Sequence, residues 1–110
     1  MSVPEKRYDT RVVVDFPVAM AAMGIRRMRR VQNISIGGLQ LRRGLEELRP
    51  GEEVALMFRL PSGAKAIRCD GQVMYDRDDY VGIRFTKMPL NSQMMLDRFI
   101  TEQITEGWFL

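Results

Sequence analysis

The sequence predicts a mostly β protein, a small six-stranded antiparallel barrel with one C-terminal α-helix. Short stretches of alternating apolar residues are separated by turns rich in Gly, Pro and Asp. Toward the C-terminus the apolar period lengthens from two residues to between three and four, which is typical of a helix. At 110 residues the chain fits one domain, and closing six short strands into a barrel removes exposed sheet edges.

The first hairpin is predicted from the valine-rich stretch 11–18 and from 25–32. Its turn is expected near Gly24, and the first strand is expected to end near Pro17. A third strand is predicted at 38–43, followed by one helical turn at 45–48.

The second half of the chain is predicted to form strands at 53–60, 64–75 and 80–86. The first two flank the turn signal Pro61-Ser62-Gly63. In the last strand Gly82 is expected on the face opposite to its apolar neighbours.

A terminal helix is predicted at 91–106, with Asn91 or Ser92 as its cap. Its apolar side chains recur at three- and four-residue spacing and should cover one end of the barrel: Met95, Leu96, Phe99, Ile100 and Ile104.

Composition argues against several classes of function. The chain has no histidine and a single cysteine, Cys69, so an internal disulfide, a zinc site of Cys and His, and the usual Ser-His or Cys-His nucleophiles are excluded. No apolar run approaches the roughly 20 residues of a membrane span, and the N-terminus does not resemble a signal peptide, so a cytoplasmic protein without membrane insertion is expected. Cys69 shares strand parity with apolar residues and is expected to be a small buried side chain.

The net charge of +3 is unevenly distributed, because arginines concentrate in the first half of the chain. Such a field suits a nucleotide, a nucleic acid or a lipid head group. The run 26–30 holds four arginines but no stacking aromatics, so a solvated barrel rim, with two arginines on each face of a strand, is favoured over a single-strand nucleic-acid site.

Two motifs flank the first hairpin. Arg7 and Arg11 form an RxxxR pattern, and Asn33, Ser35 and Gly38 form an NxSxxG pattern. Alone, the first is most simply a solvated basic terminus and the second a plain turn. The joint occurrence in this order favours a binding site.

These motifs resemble those of the PilZ domain family, bacterial receptors for cyclic di-GMP. The resemblance covers roughly residues 5–104 and includes the glycine-containing stretches 70–73 and 80–85. It implies a single domain over 1–110, with a flexible N-terminal arm at 1–11, a barrel at 12–86 and the helix at 91–106.

The resemblance assigns cyclic di-GMP to Arg7, Arg11, Asn33, Ser35 and Gly38. Arginine forks bind phosphate or guanine bidentately, and the Asn33 carbonyl can accept from a guanine N–H. PilZ domains most often carry Asp at this position, which would accept two guanine protons. The arm is expected to close over the ligand, and its ordering would be the signal.

Four further residues are candidate secondary contacts: Lys6, Gly37, Arg42 and Arg43. In PilZ relatives the position before the first motif arginine influences whether one ligand or a stacked pair is bound, so Lys6 leaves the stoichiometry open. Arg42 or Arg43 would help to neutralise a stacked pair.

The resemblance therefore implies a non-catalytic receptor without metal or cofactor, acting on an unidentified protein effector in motility, adhesion or exopolysaccharide control and biofilm formation. A PilZ-fold interaction module with weak or no ligand binding is the alternative. The apolar tail Trp108-Phe109-Leu110 is expected to cap the barrel, with a partner-binding hot spot as the second interpretation.

Overall fold

The structure is a computed structural model that describes residues 10–44, 48–61, 63, 65–77 and 79–109, and for 106–109 the backbone alone. The predicted helical turn at 45–48 falls largely outside these residues, as do the side chains of the C-terminal tail. The described elements are, in chain order, β1 (Val12–Ala22), β2 (Ile25–Ile34), β3 (Gly38–Arg42), β4 (Glu53–Phe58), β5 (Ile67–Asp76), β6 (Tyr80–Lys87) and α1 (Leu90–Phe109).

The six strands close into an antiparallel barrel in the order β1-β2-β3-β6-β5-β4. The predicted fold class is confirmed. Closure requires β6 to return between β3 and β5, and β1 to pair with both β2 and β4. Strands distant in sequence thus become neighbours around the barrel.

The first strand is longer than predicted, since β1 continues through Pro17 to Ala22. Proline is tolerated because β4 pairs with β1 only from Val18 onward, which leaves one side of the strand unpaired at Pro17. The hairpin turns at Met23 and Gly24, whose φ angles of 51° and 79° match a two-residue turn with positive φ at both positions.

Alternate residues of every strand point into one core. Its members include Val18, Val31, Leu41, Ile67, Val73 and Val81, each with a relative exposure of 0%. The ends of the other five strands differ from the prediction by up to three residues: β4 stops at Phe58, and β5 begins at Ile67.

Helix α1 supplies the predicted apolar stripe. Leu96, Phe99 and Ile100 are buried in the core cluster, and Met95 and Ile104 pack against it. The helix begins at Leu90, so Asn91 and Ser92 lie in its first turn and do not precede it as caps. The Gln93 amide donates to the Pro89 carbonyl (3.0 Å), which sets the earlier start. In the described part of the chain, no helix is long and apolar enough to cross a bilayer.

Cys69 lies on β5 and is 7% exposed, as expected for a small buried side chain. Burial raises the pKa of its thiol from 9.0 to about 12, and the adjacent Asp70 carboxylate adds to the rise. An unfolded chain would release this proton above pH 9 while the folded chain retains it, so the free energy of unfolding should decrease as the pH rises from 9 toward 12. Below pH 9 both states hold the proton, and the thiol adds no pH dependence.

Urea unfolding between about pH 8 and about pH 11 tests this expectation against a Cys69→Ala variant. The variant should lose the part of the alkaline decline that the thiol causes. Identical pH profiles for the two proteins would show that the thiol titrates equally in both states.

Candidate functional site

The NxSxxG motif spans the end of β2, the turn that follows it and the first residue of β3. The Ser35 amide donates to the Gly38 carbonyl (2.8 Å), and the Gly38 amide donates to the Ser35 hydroxyl (3.2 Å), which is itself 3.2 Å from the Gly38 carbonyl oxygen. Ser35 is only 3% exposed. In this structure its hydroxyl stabilises the turn, and a contact with a base or phosphate stays a prediction.

Gly38 is required by the close approach of β3 to β6. A Cβ atom at this position would lie 2.1 Å from the Ile83 carbonyl oxygen, far inside van der Waals contact. The preceding residue also joins β6, because the Phe85 amide donates to the Gly37 carbonyl (2.9 Å). The two glycines therefore fix the turn against the neighbouring strand.

Arg11 contacts the second motif directly. Its Nη1 donates to Asn33 Oδ1 at 2.9 Å. The contact arises because Val13 of β1 pairs with Asn33 of β2, which places the residue just before the strand beside the end of β2. The structure thus joins one arginine of RxxxR to the first residue of NxSxxG, whereas Arg7 and Lys6 lie outside the described residues.

A row of polar side chains continues from Asn33 across the outer surface of the barrel. Asn33 Nδ2 donates to Gln40 Oε1, and Gln40 Nε2 donates to the Tyr75 hydroxyl. Gln40 and Tyr75 both pair with Gly82 of β6, over which the tyrosine ring lies. The Arg77 guanidinium sits 4.9 Å from the centre of that ring.

A surface cavity of about 370 Å³ opens beside this row. Both charged side chains among its lining residues, Arg11 and Arg84, are basic. Arg84 is held by a 3.0 Å hydrogen bond from its Nη2 to Gln72 Oε1. The other lining residues are Ser35, Gly37, Gly38, Met74, Tyr75, Gly82 and Ile83. Backbone surface, an aromatic ring and two guanidinium groups together suit an anionic ligand with planar bases.

Arg42 and Arg43 are not brought to this cavity. They line a separate one with Pro17, Met28, Arg29 and Arg30, and the two cavities share no lining residue. Arg43 Nε lies 3.4 Å from the Asp76 carboxylate, at the opposite end of β3 from Gly38. Their role as secondary contacts stays a prediction.

The arginine run on β2 differs from the expected solvated rim. Arg26 and Arg30 are exposed, as predicted for one face, but Arg27 is half-buried and Arg29 is only 7% exposed. The guanidinium of Arg29 packs so closely on Gly44 that a Cβ there would lie 2.3 Å from its central carbon. For Arg29 the rim interpretation is wrong, because inward strand parity places its side chain beneath the loop after β3.

Sequence reasoning missed Gln40, Tyr75 and Arg84 as site residues. Each is an ordinary surface residue by type, and the site assembles them through the pairing of β3, β6 and β5. The available signal was Gly82, whose small size opposite an apolar strand face leaves room for a large neighbour.

Gly82→Ala tests this packing. The added Cβ would lie 2.2 Å from the Tyr75 ring, so the ring must move away from Gln40, and we expect the protein to lose about 1–3 kcal/mol of unfolding free energy. Removing the ring relieves the clash, and the Gly82→Ala/Tyr75→Ala double variant should be clearly more stable than the sum of the single effects predicts. Strictly additive effects in urea unfolding would refute the proposed contact.

Within the described ranges no group of three or more His, Cys, Asp or Glu side chains is placed to hold a metal ion.

A family model described as PilZ domain matches residues 5–102. No curated protein gives a significant sequence match.

Several solved structures share the fold. The Bacillus subtilis inhibitor of motility MotI/DgrA superposes with a TM-score of 0.78 at 16% identity, covering 87% of this chain and 50% of that one. The PilZ domain of Escherichia coli YcgR with cyclic di-GMP gives 0.69 at 16% identity, covering 89% and 91%. Borreliella burgdorferi PlzA in complex with cyclic di-GMP gives 0.63 at 16% identity, covering 82% and 39%. The chain thus spans about half the length of MotI/DgrA, and at these identities the likeness concerns the fold.

Proposed function

The chain belongs to the PilZ domain family, and from this premise we propose that it is a non-catalytic receptor for cyclic di-GMP that passes the signal to a protein partner. Similar structures that carry this ligand, YcgR and PlzA, support the choice of dinucleotide. The similarity to an inhibitor of motility favours a role in motility. Adhesion and exopolysaccharide control, with biofilm formation, are the other outputs that suit such a receptor.

The observation that carries the proposal is the hydrogen bond between Arg11 and Asn33. Residues 22 positions apart in sequence, one from each motif, are in contact, and Arg11 lines a cavity together with Ser35, Gly37 and Gly38. If the first motif were only a solvated basic terminus and the second only a turn, no contact between their side chains would be needed. Their convergence favours a shared ligand over two unrelated motifs.

The chemistry of the site suits a cyclic dinucleotide. The Arg11 guanidinium retains donors beyond the one used on Asn33, and these can bind a phosphate or the O6 and N7 acceptors of guanine. Asn33 Oδ1 accepts from Arg11 but has a second lone pair for one guanine N–H. Arg84 also lines the cavity and adds a second positive charge.

In the proposed mechanism Arg7 and Arg11 clasp the ligand while it rests on the surface formed by Asn33, Ser35 and Gly38. Binding fixes the segment that carries both arginines, and a partner recognises the fixed arrangement. In this mechanism the receptor passes on the signal without catalysing a chemical reaction.

Calorimetric titration with cyclic di-GMP tests the proposal, with an Arg7→Ala/Arg11→Ala variant and GTP as controls. We expect saturable heat for the wild type alone, with a stoichiometry of one ligand or of a stacked pair. No heat and no thermal stabilisation at high ligand concentration would instead favour the interaction module with weak or no ligand binding. Single-stranded nucleic acid that binds with steep salt dependence and ignores cyclic di-GMP would favour the third class of function.

A further inference from the structure

A second surface feature lies where β1 pairs with β4. A groove of about 350 Å³ crosses the outside of these strands. Its floor consists of two cross-strand pairs, Ala19 with Met57 and Ala21 with Ala55. We call this feature the β1/β4 groove. It shares no lining residue with the cavity beside Arg11, so it is a separate site.

Charged side chains border the apolar floor. Each pair of the floor continues as a row of cross-strand partners on the neighbouring strands. Arg26 of β2 pairs with Ala21, and Arg68 of β5 pairs with Met57. On the β5 side of the Ala21 row, Ala55 pairs with Asp70, and Asp70 pairs with Lys87 of β6. The groove therefore has three cations and one carboxylate on its rim, which favours an acidic occupant.

Exposed apolar side chains extend the surface beyond the groove. Met28 pairs with Ala19 and is 65% exposed. Met23, in the turn that follows β1, is 88% exposed and has a φ of 51°. That conformation favours glycine or asparagine, so methionine costs conformational energy here without contributing to the core. Large exposed apolar residues that the fold does not need are typical of interaction surfaces.

The shape of the surface restricts the occupant. Because β1 and β4 pair with each other from Val18 to Ala21, neither strand has a free edge at the groove for an extended peptide to join. A two-fold contact between the grooves of two copies would bring together two rims that each carry three cations and one carboxylate. An anionic bilayer would meet the carboxylates of Asp70 and of exposed Glu53, which lies two residues before Ala55 on the same face of β4. A helix can approach an alanine floor closely and place side chains against both rims.

We propose that the β1/β4 groove binds an amphipathic helix of a partner protein, with its apolar stripe on the alanine floor and its acidic residues beside Arg26, Arg68 and Lys87. The methionines at 23, 28 and 57 adapt to the apolar stripe through their flexible side chains. This inference stands independently of cyclic di-GMP binding, because no residue of the Arg11 cavity takes part.

The test uses a fluorescein-labelled designed helix of about 20 residues, with leucines at i, i+3, i+4 and i+7 and glutamates on either side of them. A second peptide replaces every glutamate with lysine. Fluorescence anisotropy should give saturable binding of the acidic peptide, and the basic peptide should bind at least about tenfold more weakly. The peptide is added to the full chain both with and without cyclic di-GMP.

Two variants locate the binding. Ala55→Glu places a negative charge on the exposed floor and should weaken binding at least about tenfold, while Lys65→Ala changes the net charge equally on an exposed residue outside the groove and should change affinity less than about twofold. Arg68→Gln/Lys87→Gln removes two rim cations without altering the floor and should weaken binding about fivefold or more. Thermal melts establish that each variant folds.

Absence of saturable binding, preference for the basic peptide, or unchanged affinity in Ala55→Glu and Arg68→Gln/Lys87→Gln would overturn the proposal. Sedimentation equilibrium and vesicles containing phosphatidylglycerol provide two further checks. A dimer that Ala55→Glu dissociates would assign the groove to self-association, and vesicle binding that excludes the peptide would assign it to a membrane surface.

Discussion

Arg11→Ala is expected to lower the affinity for cyclic di-GMP by about 100-fold or more while the barrel stays folded. The guanidinium is exposed and makes its described contact with Asn33 at 2.9 Å, so its loss removes no core packing. A charge-assisted, bidentate contact with phosphate or guanine is among the strongest single interactions available to such a ligand, and truncating one partner costs about 2–5 kcal/mol. Calorimetry measures the affinity, and thermal unfolding shows that the fold persists.

Two matched variants give the result its meaning. Arg11→Lys keeps the charge but removes the planar fork, and we expect it to recover only a small part of the lost affinity. Arg98→Ala deletes the same charge on an exposed surface of α1, where Arg98 forms an ion pair with Glu102 one helical turn further along. This variant should leave binding unchanged. Wild-type affinity in Arg11→Ala would remove the basis for the proposed site.

Gly38→Ala is expected to have the largest effect on stability among single methyl additions at this site. The new Cβ would lie 2.1 Å from the Ile83 carbonyl oxygen and 3.2 Å from the Arg84 Cα, both backbone atoms that cannot rotate away. Relief requires β3 to separate from β6, so we expect a loss of about 2–3 kcal/mol in unfolding free energy. The Tm should fall by about 10 °C or more. Ligand binding should fall as well, because Gly38 lines the cavity.

Gly24→Ala is the matched control. Its φ of +79° makes any side chain mildly unfavourable, but nothing lies within 4 Å of the added Cβ. We expect a cost of about 1 kcal/mol and unchanged ligand affinity, since the turn lies at the far end of the hairpin. A Gly38→Ala protein as stable as Gly24→Ala would mean that the β3 and β6 backbones are not in contact at this point.

The fold was largely predictable because strand and helix periodicity report local burial. The alternation in β6 placed Val81 and Ile83 correctly in the core, and the spacing of Leu96, Phe99 and Ile100 identified the buried face of α1. The errors concern positions where tertiary contacts decide. Pro17 did not end β1, because pairing with β4 begins only at the next residue.

The candidate site was predictable only where its residues are close in sequence to a recognisable motif. Asn33, Ser35 and Gly38 lie at the end of β2, in the following turn and at the start of β3, and the pairing of β1 with β2 brings Arg11 beside Asn33. The contribution of Tyr75 depends on the pairing of β5 with β6 and of β6 with β3, a register that no local pattern specifies. The same limit applies to Arg29, whose burial depends on a loop that follows another strand.

The hydrogen bonds from Arg11 through Asn33 and Gln40 to Tyr75 all run in one direction, since each residue donates to the next. An amide can reverse its donor and acceptor only if its neighbours reverse with it. Aspartate at position 33 has no donor, so Gln40 would have to turn its amide, and the tyrosine hydroxyl would then have to donate to it. The side chains at 33, 40 and 75 therefore form one coupled unit, in which the effect of any exchange depends on the identity of the other two.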